Sequence, residues 1–363
     1  MEFRVEVTQA ELDGLGRRLE GVRWPDQLPG VEWGYGVELG RLRELTEYWR
    51  TSYDWRRFEA RLNQYPQYVT EIDGQRVHYV QTGSGTPLLL LHGWPGAASD
   101  YLDVIDTLSQ DFTLVIPTMP GFGFSGATSE TGWGTERIAR AWIALMEQLG
   151  YERYGVHGYD WGARIGPAIA RAVPDRIVGL HLDGYLAFPQ GEELTETEQQ
   201  RLGGLDRWQK ERSGYAAIQS TRPQTLAYAL TDSPVGQLAW NLEWYDDYGH
   251  RIGAISNDAI LDSVTQTWLT GTAGSSGRIY REALASWGAP TPHCPVPTGL
   301  AVFPTDSTVR RLVDREFNVV HYTEFDRGGH FAALEVPALV AEDLLNFFRS
   351  CNYRTPSRCS IAN

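Results

Sequence analysis

The sequence predicts an α/β protein built on a mostly parallel central sheet flanked by helices, with a helical insertion late in the chain and a helical arm ahead of it. Three observations carry this reading. The short apolar runs Leu88–Leu91 and Phe112–Ile116 have the length and the near-continuous hydrophobicity of strands buried on both faces. Helix-patterned stretches such as Arg137–Leu149 alternate with strand candidates, as parallel pairing requires. Between about Gly184 and Pro295 the strand pattern disappears and helix candidates replace it.

Taken in order, residues 1–66 read as an arm. Thr8 to Glu11 has the form of a capping box that opens a helix running through Leu19. An irregular stretch around Trp24, Pro25, Pro29, Trp33 and Tyr35 follows, then a helix with Leu42, Leu45, Tyr48 and Trp49 at helical spacing. Its aromatics suit an arm clamped onto the main domain, and a homodimer contact through it is an expectation. Residues 67–183 form the first part of the core: a hairpin of Tyr68–Ile72 and Val77–Val80 about an Asp73-Gly74 turn, a helix ended by Gly150, and a strand at Ile177–Leu182. Residues 184–295 carry helix candidates at Leu226–Leu230, Gln237–Tyr245, Asp258–Leu269 and Arg278–Ala285, which suit a cap over the strand ends. Residues 296–349 return to the core with strands at Thr298–Phe303 and Val319–Tyr322 and a helix at Pro337–Phe348. Residues 350–363 are polar and aperiodic, and order is not expected there.

A chain of 363 residues buries a substantial core, and 13 Trp with a 42% hydrophobic fraction exclude a disordered one. The net charge of -14 with no basic run argues against nucleic-acid and anionic-membrane partners. Cys294, Cys351 and Cys359 form no metal-ligand or redox spacing, which fits a reducing compartment. The N-terminus lacks an apolar signal core, and no run approaches the ~18 apolar residues of a membrane span. A cytoplasmic protein is expected.

The most informative stretch is His157-Gly158-Tyr159-Asp160-Trp161-Gly162-Ala163, between the strand at Tyr154-Gly155-Val156 and a helix-like run to Arg171. Strand, tight turn and helix with small residues around one reactive side chain is the pattern of a nucleophile elbow. Here the central residue is Asp160. A carboxylate cannot form the acyl-enzyme of an esterase, but it can displace a leaving group from saturated carbon and form an alkyl-enzyme ester. Such chemistry needs amide donors, a base and an acid to orient the base. His92-Gly93-Trp94-Pro95-Gly96 follows the Leu88–Leu91 run, so the backbone N–H groups of Trp94 and Trp161 are candidate oxyanion donors, while His92 reads as a turn residue. Arg327-Gly328-Gly329-His330 follows the last strand candidate and offers His330 as the base. Asp306, in Phe303-Pro304-Thr305-Asp306, is the favoured orienting acid, with Asp183 as its competitor one strand earlier.

These blocks, with Pro297-Thr298-Gly299 and Phe331-Ala332-Ala333, resemble the microsomal type of epoxide hydrolase, a family of α/β-hydrolase fold, in a soluble form without the membrane anchor. The resemblance runs from Arg23-Trp24-Pro25 to the helix after His330. It implies two cap tyrosines that donate to the epoxide oxygen, matched by Tyr215 in Ser213-Gly214-Tyr215-Ala216-Ala217 and by Tyr280 in Ser276-Gly277-Arg278-Ile279-Tyr280. It implies conversion of an epoxide to a vicinal diol with no metal or organic cofactor. Where mammalian members usually carry Glu as the orienting acid, this chain has Asp306. Bacterial relatives that open styrene-oxide-like epoxides in enediyne antibiotic biosynthesis suggest an aromatic small-molecule substrate, and Trp240 and Trp244 are candidate pocket residues. Two other readings stay open on the sequence: a haloalkane dehalogenase, which shares the Asp elbow, and a non-catalytic binding protein of the same fold.

Overall fold

The computed structural model describes residues 1–286, 288 and 291–352. Nine strands form one sheet: β1 (Glu2–Phe3), β2 (Gln67–Ile72), β3 (Gln75–Gly83), β4 (Thr86–Leu91), β5 (Phe112–Pro117), β6 (Tyr154–Tyr159), β7 (Ile177–Asp183), β8 (Cys294–Val302) and β9 (Phe317–Glu324), in the order β1-β2-β3-β5-β4-β6-β7-β8-β9. The first three pair antiparallel, β3 meets β5 antiparallel, and every pairing from β5 to β9 is parallel. The sheet is therefore mixed at one end. The hairpin turn has both Asp73 (φ 53°) and Gly74 (φ 71°) in the left-handed region, the twist that joins two antiparallel strands through two residues.

The buried run in β4 shows how sequence period becomes layering. Leu88 and Leu90 belong to the core on one face, while Leu89 and Leu91 belong to the core on the other. Helices cover both faces. Helix α4 (Leu102–Leu108) lies with the C-terminal helix on one side, and α5 (Thr135–Gln148) with α6 (Gly162–Ala172) on the other.

The arm contributes more than the two expected helices. Besides α1 (Gln9–Glu20) and α2 (Leu39–Thr51) it holds α3 (Trp55–Leu62) and the edge strand β1. Thr8 and Glu11 make the reciprocal capping bonds their spacing implies. Between β7 and β8 lie α7 (Glu196–Arg207), α8 (Gly214–Thr221), α9 (Pro223–Asp232), α10 (Pro234–Tyr245), α11 (Asn257–Leu269), α12 (Ala273–Ser276) and α13 (Arg278–Glu282); α14 (Arg310–Val313), α15 (Ala332–Glu335) and α16 (Pro337–Asn352) complete the core. The sequence reading missed α7 and α8. The first is polar or charged along most of its length, and the second has only two turns.

The arm grips this helical insertion directly. Arg41 of α2 forms a buried ion pair with Asp246 at 2.9 Å, Tyr48 donates to Asp258 at 2.7 Å, and Tyr53 donates to Asp262 at 2.8 Å. No helix among the described residues is long and apolar enough to cross a membrane. The expectation for the tail lies mostly outside the described residues.

Candidate active site

Four loops at the C-terminal ends of β4, β6, β8 and β9 carry Trp94, Asp160 with Trp161, Asp306 and His330, at the edge of a parallel sheet where binding crevices form. Asp160 follows β6 directly with φ 51°, a conformation few non-glycine residues adopt. That strain turns its carboxylate out of the sheet and into the crevice. Glycines make the turn sterically possible. A Cβ on Gly162 would sit 2.1 Å from the Leu91 carbonyl oxygen, and one on Gly93 would sit 2.3 Å from Asp160 Cβ.

The Trp94 N–H donates to Asp160 Oδ1 at 2.7 Å, and the Trp161 N–H also donates to this carboxylate. His330 Nε2 lies 3.6 Å from Asp160 Oδ2. Oδ1 is thus held by the Trp94 amide while Oδ2 faces the imidazole. Burial pushes the Asp160 carboxyl up from its ordinary value, and the facing His330 and the two amides pull it back. Burial holds the His330 imidazole below its ordinary value, opposed by Asp160 and Asp247, so the ring is neutral and free to accept a proton at pH 7.

An aromatic box closes over the pair. Tyr215, on α8, stacks on Trp94 (ring centroids 5.3 Å, interplanar angle 12°) and meets Tyr280, on α13, edge to face at 5.6 Å. Tyr280 stands at 90° to the Trp161 ring at 4.9 Å, and Trp244 lies 4.4 Å from the His330 ring. Both phenols are raised well above their ordinary value. Burial dominates for each, with the Asp160 charge adding to it. Both therefore remain protonated, the form that donates.

The structure brings together Asp160, His330, Tyr215, Tyr280, Trp94, Trp161 and Trp244, but two expectations come out differently. Trp240 is turned into the cap, where its indole donates to Gln219 Oε1 at 2.9 Å. No hydrogen bond or ion pair joins His330 to Asp306 or to Asp183 among the described residues. Asp306 Oδ2 instead accepts from the Phe303 N–H at 2.8 Å, because the short side chain folds back over its own turn. Asp183 lies between two other histidines, 3.6 Å from His181 Nδ1 and 3.9 Å from His157 Nε2. Burial pushes Asp306 up to about 7 and raises Asp183 far above its ordinary value.

His92 has the turn role its sequence suggested, accepting from the Met119 N–H at 2.9 Å. The sequence reading overlooked Asp100. Buried behind the elbow, its carboxylate accepts from the Tyr159 hydroxyl in a very short bond and from the Ala97 N–H at 3.3 Å, which ties the Trp94 loop to the residue preceding the nucleophile. Only an unpaired acid within a buried stretch could have signalled it.

Residues 1–101 match the family model described as epoxide hydrolase N terminus, and residues 86–225 match that of the alpha/beta hydrolase fold. The chain is 40% identical, over 96% of its length and 84% of the other's, to a Stigmatella aurantiaca protein whose description as an epoxide hydrolase is provisional. It is 33% identical to epoxide hydrolase 1 of Sus scrofa, over 95% of this chain and 87% of that protein. The crystal structure of juvenile hormone epoxide hydrolase from the silkworm Bombyx mori superposes with a TM-score of 0.88 at 28% identity, covering 97% of this chain and 94% of the other. The Aspergillus niger epoxide hydrolase superposes with a TM-score of 0.85, also at 28% identity, covering 96% of both chains.

Proposed function

The chain belongs to the epoxide hydrolases of the α/β-hydrolase fold, and from that premise we propose that it opens an epoxide through a covalent ester on Asp160. The observation that carries this reading is the division of labour at the carboxylate. Oδ1 rests on the Trp94 amide at 2.7 Å, which leaves Oδ2 free to attack. In the first half-reaction Oδ2 forms a bond to one epoxide carbon as the carbon–oxygen bond of the ring breaks. The departing oxygen takes a proton from Tyr215 or Tyr280, so no free alkoxide has to leave. In the second, His330 removes a proton from water, whose oxygen attacks the ester carbonyl carbon. The negative charge gathers on Oδ1, where the Trp94 N–H already points, with the Trp161 N–H beside the same carboxylate. Collapse releases the diol, whose second hydroxyl takes the proton back from His330, and the proton left on the new Asp160 carboxyl returns to the tyrosine that gave one up, which restores both the carboxylate and the phenol.

Asp306 is assigned to orient His330, a role that requires it to leave the Phe303 amide and to ionise. The flat faces of Trp94, Tyr215, Tyr280 and Trp244 favour an aromatic epoxide such as styrene oxide over a linear aliphatic one.

Single turnover in water enriched in heavy oxygen tests the ester. The first diol carries unlabelled oxygen from Asp160, and the label appears in the carboxylate and then in later product. Full labelling of the first diol would rule out the covalent path. Asp160→Ala is expected to abolish diol formation while the circular dichroism spectrum stays unchanged.

A further inference from the structure

Among the described residues no carboxylate accepts a hydrogen bond from His330 that would fix its ring, and its Nε2 has no hydrogen-bond partner. What holds the imidazole is therefore the backbone of its loop and the rings of Trp244, Phe331 and Tyr159 beside it. The backbone of that loop is braced from outside the core. Arg251 lies in the cap, in the turn after α10, where its own N–H donates to Asp246 O at 3.0 Å. Its guanidinium crosses to the core and donates from one nitrogen to the Gly328 carbonyl, in a very short bond, and from the other to Glu335 Oε2 at 2.5 Å. The second oxygen of Glu335 accepts from the Phe331 N–H at 3.1 Å. The contacts at Gly328 and Phe331 thus bracket His330 on both sides. Glu335 is 6% exposed and Arg251 25%, so the pair is largely sheltered from water. Asp246 also holds Arg41 of the arm, so a continuous set of polar contacts runs from arm to cap to base loop.

We propose that Arg251 and Glu335 are positioning residues through which the cap holds His330 over Asp160, so that ester hydrolysis, and not ester formation, depends on this bracket. The proposal rests on the two-step covalent reading above. Asp160, Tyr215 and Tyr280 lie outside the bracket, so alkylation proceeds without it. Water activation requires the imidazole in one place, and loss of the bracket lets it move.

The test is rapid-quench mass spectrometry of the whole enzyme with styrene oxide, using wild type, Arg251→Met, Glu335→Gln, the double variant, Arg251→Lys and His330→Gln. Misplacement of a reacting group by about 1 Å costs on the order of 100-fold. Arg251→Met and Glu335→Gln are therefore expected to form ester within about threefold of the wild-type rate and to hydrolyse it ~10–100-fold more slowly. The alkylated enzyme then accumulates. Arg251→Lys, which keeps the charge but lacks the fork that reaches both acceptors, falls in between. The double variant leaves no unpaired buried charge and serves where a single variant fails to fold. If His330→Gln traps ester while the bracket variants hydrolyse it at the wild-type rate, the bracket proposal alone is wrong. Equal slowing of both half-reactions in every folded variant would overturn it as well. If His330→Gln forms no ester, the covalent reading fails and takes this proposal with it.

Discussion

At the scale of single residues, the site turns on what burial does to acids that must change charge. Tyr215 and Tyr280 gain from it, since burial beside Asp160 keeps both phenols protonated. Asp306 loses, because burial pushes it up to about 7 and its carboxylate is engaged by the Phe303 amide. If Asp306 orients the base, Asp306→Asn slows ester hydrolysis on the order of 100-fold or more, as loss of an orienting carboxylate does in comparable triads. In wild type the same step gains rate as pH rises through about 7, where Asp306 ionises, and the variant loses that limb of the profile. Asp183→Asn, tested alongside, leaves the limb in place. The reverse result, with the limb lost in Asp183→Asn and kept in Asp306→Asn, would transfer the role to the earlier strand. Asp160 and His330 were legible in the sequence because the backbone around them is constrained: a tight elbow and a glycine-rich loop leave few residue types allowed. Whether a short carboxylate reaches an imidazole depends on side-chain rotation, which leaves no mark in sequence spacing.

At the scale of elements, α10 shows why helical spacing alone does not identify a pocket. Trp240 and Trp244 lie one turn apart, so sequence periodicity gives them one face and one role. In the fold that face meets two surroundings. Trp240 reaches α8 through Gln219, while Trp244 passes the end of α8 and meets Tyr215 and His330. Gln219 is buried, so Trp240→Phe strips its acceptor of a partner and is expected to lower unfolding free energy by about 1–3 kcal/mol with KM little changed. Trp244→Ala removes an aromatic face from the site, and its KM for styrene oxide is expected to rise about 3–10-fold, the equivalent of one aromatic pair. Steady-state kinetics beside urea melts of both variants make the comparison. A KM effect confined to Trp240→Phe would return that residue to the pocket. The strands were easier to read than the cap helices, because a strand buried on both faces must be apolar along its buried length, as Leu88–Leu91 of β4 and Leu114–Ile116 of β5 are. The cap helices α7 and α8 bury one side at most, and their sequences carry little periodic signal.

At the scale of the molecule, the arm and cap are joined by polar groups that the core could have done without: Arg41 with Asp246, Tyr48 with Asp258 and Tyr53 with Asp262. Partners some two hundred residues apart leave no local signal, so this interface was not legible beyond the expectation of a packed aromatic arm. Its chemistry gives the fold a pH dependence. Burial pushes Asp262 up to about 7, with the Tyr53 hydrogen bond and Arg61 working against the rise and Asp258 and Asp103 adding to it. An unfolded Asp titrates near ~4. Between those values the native chain binds more protons than the unfolded one, so this group's contribution is full below the unfolded value and is lost as pH rises through about 7. Asp262→Asn keeps an oxygen to accept from Tyr53 and removes the titration. Buried histidines act with the opposite sign: His78 is pulled down to about 3 and His92 to about 4, so both oppose folding as pH falls below ~6.5. Those terms are common to wild type and variant and cancel in the difference between them. The variant is therefore expected to melt above wild type at pH 8 and to lose that advantage at pH 4.5, measured by calorimetry in matched ionic strength. An unchanged difference between the two pH values would mean that Asp262 is already ionised in the native arm–cap interface at low pH, and that the interface is held by charge and not by a buried neutral acid.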